Sequence, residues 1–170
     1  MKTQLLPILI LLFTISAFGD APLLEPQQVR ACDDQVNFCV LSDPKGITSI
    51  YKISGNFKAT EIYKISGWFR APHISPDGKY FVAGYSGLNL VPQDVTPEEV
   101  MVAIYKNGVL DKVIKLGELL HSMQSLKHTV SHYEWGYIKS VSNYGVELQT
   151  VEGSQFVEFP SYQIHRETKR

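Results

Sequence analysis

Two histidines and a glutamate lie close together in the segment LKHTVSHYEWGY, residues 126–137. His128, His132 and Glu134 occupy even positions, so on one continuous strand their side chains would face the same side of the sheet. Imidazole and carboxylate groups are ligands that zinc accepts. The segment lacks the helical His-Glu-x-x-His arrangement, in which the glutamate follows the first histidine. We therefore favour a structural role for these residues and expect no cofactor. A metal-dependent or other hydrolase centred on them is the alternative.

Two cysteines are present, Cys32 and Cys39, and they enclose the short loop DDQVNF. In an oxidising compartment an even pair at this spacing most often forms a disulfide. Metal sites usually place two cysteines closer together and need further ligands. We predict a structural disulfide, and because the loop is short we expect it to stabilise the fold by about 2 kcal/mol.

Three large rings alternate with smaller residues at Tyr133, Trp135 and Tyr137. On one strand they would stand on the same side. Such a row forms either a wall of the core or an exposed platform for a partner protein or sugar rings. The sequence leaves both interpretations open.

A near-duplication occupies residues 50–73, IYKISGNFKATEIYKISGWFRAPH. A twelve-residue unit occurring twice is too short for a stacked-repeat fold, so we interpret it as one antiparallel hairpin. A five-residue loop, 56–60, predicts Tyr51 opposite Ile65 and Ile53 opposite Tyr63. The informative difference between the copies is Trp68, which replaces Asn56 and is predicted to lie on the polar face beside Lys64.

The elements that must position these residues are mostly strands. Runs rich in Val, Ile, Tyr, Phe and Thr are separated by turn residues at intervals of eight to twelve. They predict strands at 28–33, 36–41, 47–54, 61–69, 79–85, 99–106, 109–116, 133–141, 145–151 and 155–160. One helix is predicted at 117–127 from its apolar stripe, and 86–97 is the longest loop.

The predicted fold class is therefore mainly β, an antiparallel meander or a sandwich or barrel of consecutive hairpins, with one short α-helix packed on it. We expect a single domain over residues 22–162 and a flexible tail over 163–170.

The first nineteen residues have the layout of a secretory signal peptide, with Lys2 followed by an apolar run over 5–18 and small residues at Gly19 and Ala21, after either of which cleavage can occur. The run is shorter than the roughly 20 residues of a membrane span. Removing Lys2 changes the formal charge from −1 to −2, which argues against a nucleic-acid partner. We expect an exported protein, periplasmic or secreted, with no membrane span.

The segment HISPDGKYFVAGY, residues 73–85, resembles the strand, turn and strand in blades of bacterial propeller proteins. Together with Trp68 and TVSHYEWG at 129–136, it looks like an uncharacterised group of small exported bacterial β-rich proteins. That resemblance implies an exported β-rich fold and brings no catalytic residue. A complete propeller of four-stranded blades would need a longer chain.

The expected function is non-catalytic binding of a protein partner, ahead of a glycan, through an aromatic surface with residues 86–97 at its rim. Tyrosine and tryptophan dominate the binding energy of many interfaces. An inhibitor or immunity protein is a further alternative that the sequence does not separate from other binders. The predicted surface residues are Trp68, Lys64, Tyr133, Trp135 and Tyr137.

Overall fold

The computed structural model describes residues 23–167. The predicted signal peptide with its two cleavage points and the last three residues of the predicted tail lie outside this range. Strands are numbered in chain order and form four sheets. Sheet 1 contains β1 (Val29–Cys32), β2 (Phe38–Asp43), β3 (Ile47–Ser54) and β4 (Lys58–Ser66). Sheet 2 contains β5 (Pro72–Ile74), β6 (Tyr80–Gly84), β8 (Val100–Lys106) and β9 (Val109–Lys115).

The two remaining sheets follow later in the chain. Sheet 3 is small, with the order β10 (Lys127–His128), β11 (His132–Glu134) and β7 (Leu90–Pro92). Sheet 4 contains β12 (Gly136–Val141), β13 (Gly145–Thr150), β14 (Gly153–Glu158) and β15 (Ile164–Arg166). Within residues 23–167 every strand pairing is antiparallel, and one α-helix, α1, spans Leu116–Leu119. The predicted class, a β-rich arrangement of consecutive hairpins with one short helix, is confirmed.

Both faces of sheet 2 are covered, each by a different core. Side chains alternate between the faces of a strand. In β6, Phe81 and Ala83 enter the first core, whereas Tyr80 and Val82 enter the second. The first core lies between sheets 1 and 2 and contains Val40, Ile50, Ile65, Ile74, Phe81 and Ala83. The second core joins sheet 2 to sheet 4 and α1, and its largest members include Met101, Ile104, Ile114, Leu116, Leu119, Trp135, Leu148 and Phe159.

The first strands of the three large sheets come together. Strand β5 contacts both β1 and β12. The edge of sheet 2 therefore faces the edge of sheet 4, and the site described below occupies this junction.

The predicted disulfide is confirmed: Cys32 and Cys39 are bonded and lie directly opposite each other in β1 and β2. The predicted turn at Asn107 and Gly108 is also present, with φ values of 50° and 84° joining β8 to β9. Positive φ at both positions is what this two-residue hairpin turn requires. Within residues 23–167, no helix has the length and apolar composition needed to cross a membrane.

The duplicated segment forms the β3–β4 hairpin, but its predicted register is wrong. Ile50 pairs with Tyr63, and Tyr51 pairs with Glu61 across a register irregularity. The connection is a three-residue turn, Gly55–Phe57, in which Asn56 has φ 64°. Asparagine tolerates this left-handed conformation, so the turn is tighter than the predicted five-residue loop. In the β2–β3 pairing, Tyr51 lies opposite Cys39, on the face of sheet 1 that points away from the first core.

The predicted helix at 117–127 is also wrong in extent. Helix α1 ends at Leu119, and the next turn, Met123–Ser125, is a short 3-10 helix. The carboxylate of Glu152 accepts hydrogen bonds from the backbone N–H groups of His121 and Ser122, at 2.9 and 3.3 Å. These donors are consequently satisfied by a side chain from sheet 4 rather than by a continuing helix. The apolar residues of the predicted helix, Leu116, Leu119, Leu120, Met123 and Leu126, still pack in or against the second core.

The predicted flexible tail starts too early. Ile164–Arg166 forms β15, with Ile164 opposite Val157 and His165 opposite Phe156 of β14. Arg166 also donates to the carbonyl of Glu118 at 2.9 Å. Residues 164–166 thus complete sheet 4.

Candidate functional site

The predicted strand 133–141 is divided by a bend at Gly136. Tyr133 belongs to β11 of sheet 3, whereas Tyr137 belongs to β12 of sheet 4. Gly136 has φ +144°, and a Cβ there would lie 2.2 Å from the carbonyl oxygen of Gln149. Only glycine fits this combination of backbone conformation and close approach. The predicted row of three rings on one strand is therefore wrong, and each ring has its own environment.

Trp135 is part of the core wall, with 1% of its surface exposed. Its indole Nε1–H donates to the carbonyl of Leu88 at 2.7 Å, and its backbone N–H donates to the carbonyl of Asn89 at 3.0 Å. Its own carbonyl accepts from the N–H of Val151 at 3.0 Å. Trp135 consequently ties residues 88–89 to the β13–β14 turn, and it offers a partner little free surface.

The predicted loop 86–97 is anchored rather than free. It contains β7, in which Val91 pairs with Tyr133 of β11 and Leu90 pairs with Glu134. Val91 itself is fully buried in the second core. Strand pairing and the buried Val91 side chain therefore hold this segment in place beside the junction between sheets 2 and 4.

A cleft with a volume of about 400 Å³ lies at this junction. We call it the aromatic cleft, because three of its lining residues carry large rings. The lining consists of the aromatic residues Tyr85, Trp135 and Tyr137, the smaller apolar residues Ala71, Gly84, Leu88 and Ile138, and the polar residues His73, Asn89 and Glu134. Its lining is thus mostly apolar with few polar groups, as in many ligand sites.

Two glycines give the aromatic cleft its shape. A Cβ on Gly87 would lie 2.5 Å from the ring of Tyr85, so glycine is needed for this ring position. A Cβ on Gly84 would lie 3.2 Å from Ile138, where β6 approaches β12. The sequence GYSGL, residues 84–88, contains this signal. Tyr85, His73 and Asn89 were not among the residues predicted to form the site.

The polar groups of the aromatic cleft differ in charge. Burial lowers the pKa of His73, so its imidazole is neutral at pH 7. Burial raises the pKa of Tyr85, and the nearby carboxylates of Glu99 and Asp94 raise it further. Glu134 is the one acidic residue in the lining, and its carboxylate lies 3.9 Å from the Lys127 ammonium group.

The predicted metal ligands do not converge. The chain reverses between β10 and β11, so His128 lies opposite Tyr133 and shares its face, whereas His132 and Glu134 face the other way. The His128 ring packs edge-on against Tyr133, with ring centres 4.7 Å apart. The part of the chain that the structure describes has no group of three or more His, Cys, Asp or Glu residues placed to hold a metal ion.

The two residues predicted from the duplication lie elsewhere. Trp68 follows β4, and its indole N–H donates to the carbonyl of Gln27 at 2.7 Å. The guanidinium carbon of Arg70 lies 5.0 Å from the centre of the Trp68 ring. Lys64 forms an ion pair with Glu61 at 3.2 Å. Trp68 therefore anchors the segment before β1, and neither Trp68 nor Lys64 lines the aromatic cleft.

Comparison with known proteins does not assign this chain. No protein-family model matches the sequence, and no curated protein matches it significantly.

Proposed function

We propose that this chain is an exported, non-catalytic binding protein that recognises a protein partner through the aromatic cleft. One observation carries the proposal: the half-exposed ring of Tyr137 and the ring of Tyr85 border the same mostly apolar cleft from two different sheets. Tyrosine combines a large apolar area with one hydroxyl group and loses little conformational entropy when it is covered. Both properties favour protein interfaces.

The supports of the two tyrosines are rigid. Tyr137 lies within β12 and pairs with Gln149 of β13. Tyr85 directly follows β6, and its carbonyl accepts from the N–H of Leu88 at 2.9 Å. A site held by strands and tight turns costs less ordering entropy on binding than a mobile loop does.

Export is the setting that fits the chain best. The apolar run near residue 1, the small residues at Gly19 and Ala21, and the Cys32–Cys39 disulfide all favour an oxidising compartment, periplasmic or extracellular. The resemblance to small exported bacterial proteins points the same way. An inhibitor or immunity protein would be one form of such a binder.

Catalysis is less well supported than binding. The hydrolase alternative requires His128, His132 and Glu134 to converge, and the β10–β11 register separates His128 from the other two. A glycan is the competing ligand class, because sugar rings also stack on tyrosine. Besides the hydroxyl groups of Tyr85 and Tyr137, the cleft contributes three polar side chains, which is a small number for the many hydroxyl groups of a sugar.

Selection from a displayed random-peptide library tests the proposal. Peptides selected on the wild-type protein should lose at least about 2 kcal/mol of binding, roughly thirtyfold in Kd, on Tyr137→Ala. Tyr144→Ala is the matched control, because Tyr144 is 77% exposed and does not line the cleft.

Equal binding to wild type and Tyr137→Ala would contradict the proposal. So would Tyr137-dependent binding to a glycan array with no peptide selected, since that result would assign the cleft to sugars.

A further inference from the structure

The walls of the aromatic cleft suit a positive charge. Tyrosine and tryptophan rings attract cations to their faces through the negative potential of the ring. Among the rings that line the cleft, Tyr85 and Tyr137 have exposed surface, and Tyr137 is 52% exposed, whereas Trp135 is buried. The same chemistry occurs inside this protein, where Arg70 lies over the ring of Trp68.

A carboxylate is available at the same place. The side chain of Glu134 is 38% exposed, and the Lys127 ammonium group lies 3.9 Å from its carboxylate, near the outer limit of an ion pair. The Lys127 side chain is itself 66% exposed, so solvent screens this pair. Glu134 therefore retains the capacity to accept hydrogen bonds from a bound cation.

The remaining charges around the cleft favour a cation over an anion. The carboxylates of Glu99 and Asp94 act on the Tyr85 hydroxyl, while the half-buried imidazole of His73 is neutral at pH 7. Arg70 precedes the lining residue Ala71, but its guanidinium group donates to the carbonyl of Leu24. The local balance is acidic although the whole chain is nearly neutral.

We propose that the aromatic cleft binds a basic side chain of the partner, an arginine or a lysine, with its apolar stem against Tyr85 and Tyr137 and its charge facing Glu134. This inference rests on the proposed function and specifies its ligand chemistry. An aliphatic stem with a charged end matches a cleft that is apolar along its walls and acidic at one lining residue.

The test compares two small probes on the mature chain, N-acetyl-arginine amide and N-acetyl-citrulline amide. Citrulline has nearly the shape of arginine but carries a neutral urea group in place of the guanidinium. Each probe is titrated while two-dimensional NMR follows the backbone amides of Tyr85 and Tyr137 and the indole N–H of Trp135. We expect the arginine probe to bind about tenfold more tightly than the citrulline probe.

Two glutamate variants locate the charge. Glu134→Gln should reduce the preference for arginine severalfold while the citrulline affinity stays the same. Glu61→Gln is the matched control, because Glu61 is also 38% exposed and also pairs with a lysine, but it lies on β4 outside the cleft. It should leave the preference unchanged.

Equal binding of the two probes, tighter binding of citrulline, or no shift of the cleft signals with either probe would overturn the inference. The peptide selection tests the proposed function separately from these titrations. Tyr137-dependent peptides without enrichment of arginine or lysine would leave the function standing and the ligand chemistry wrong. Absence of Tyr137-dependent peptides would remove both.

Discussion

The indole N–H of Trp135 donates a hydrogen bond to the backbone carbonyl of Leu88, 2.7 Å away and 47 residues earlier in the chain. Both residues line the aromatic cleft. The bond fixes the segment before β7 to the bend that starts β12. Trp135 lines the cleft and also belongs to the second core. Positioning of the cleft and stability of the fold depend here on one side chain.

Trp135→Ala should lower the free energy of unfolding by about 3–5 kcal/mol, because it leaves a large cavity in the second core. Trp135→Phe should cost less, about 1–3 kcal/mol, since it keeps most of the apolar volume but leaves the Leu88 carbonyl without its donor. Urea denaturation measures both. Tyr144→Ala should change the midpoint little, as expected for an exposed side chain. A Trp135→Ala protein as stable as wild type would contradict the burial argument.

Gly136→Ala should destabilise the protein more than Gly153→Ala does. The two glycines have similar backbone angles, φ +144° and +134°, but an added Cβ meets Gln149 at 2.2 Å at position 136 and nothing within 4 Å at position 153. Alanine at 153 should cost about 1 kcal/mol from backbone strain. At 136 the steric clash should add a further 1–3 kcal/mol, roughly the cost of overpacking. Equal losses in thermal or urea unfolding would show that the bend relaxes easily.

Acid should weaken the attachment of residues 121–125 to sheet 4. Burial alone would raise the pKa of Glu152, but hydrogen bonds from Ser125 and from the His121 and Ser122 segment outweigh it and lower the pKa from 4.5 to about 2. A carboxyl group with a lowered pKa stabilises the folded state above its unfolded pKa, and this contribution is lost as the pH falls. The stability advantage of wild type over Glu152→Gln should therefore be complete above pH 4.5 and shrink towards pH 2. Thermal unfolding measured across this range checks it, and a constant difference would contradict it.

Lys127→Met should increase the affinity of the cleft for N-acetyl-arginine amide. The lysine competes for Glu134 across 3.9 Å, and an exposed pair of this kind accounts for at most about 1 kcal/mol, up to fivefold in Kd. Lys64→Met is the control, since Lys64 pairs with Glu61 away from the cleft. An affinity that falls in Lys127→Met would mean that the cleft does not select a cation.

Local chemistry predicted much of the fold. Asn107 and Gly108 gave a hairpin turn whose φ values only a few residue types accept, and Cys32 and Cys39 gave the disulfide. The β3–β4 register was wrong because Asn56 accepts a left-handed conformation and shortens the loop. The helix was overestimated because its continuation competes with Glu152, which is 31 residues away from His121 in the chain. Parity and periodicity contain no information on such distant partners.

The candidate site was predicted only in part. Trp135 and Tyr137 were selected as aromatic residues of one segment, and both line the cleft. His73 lies in β5 and Tyr85 directly follows β6, and the packing of β5 and β6 beside β12 brings them close to that segment. Their side chains carry no local pattern that distinguishes them from core residues. Trp68 and Lys64 were predicted from the difference between the two copies of the duplicated segment. That duplication is a property of the β3–β4 hairpin and carries no information on the cleft.

Sheet 2 supplies one wall of each core, and this has a consequence for synthesis. The chain emerges from its N-terminal end, so sheet 1 is complete before β6 exists. Val40, Ile50 and Ile65 then remain uncovered until Phe81 and Ala83 arrive. Through this interval the nascent protein presents an apolar sheet face to its surroundings. A chain that ends before β6 would therefore keep this face of sheet 1 uncovered.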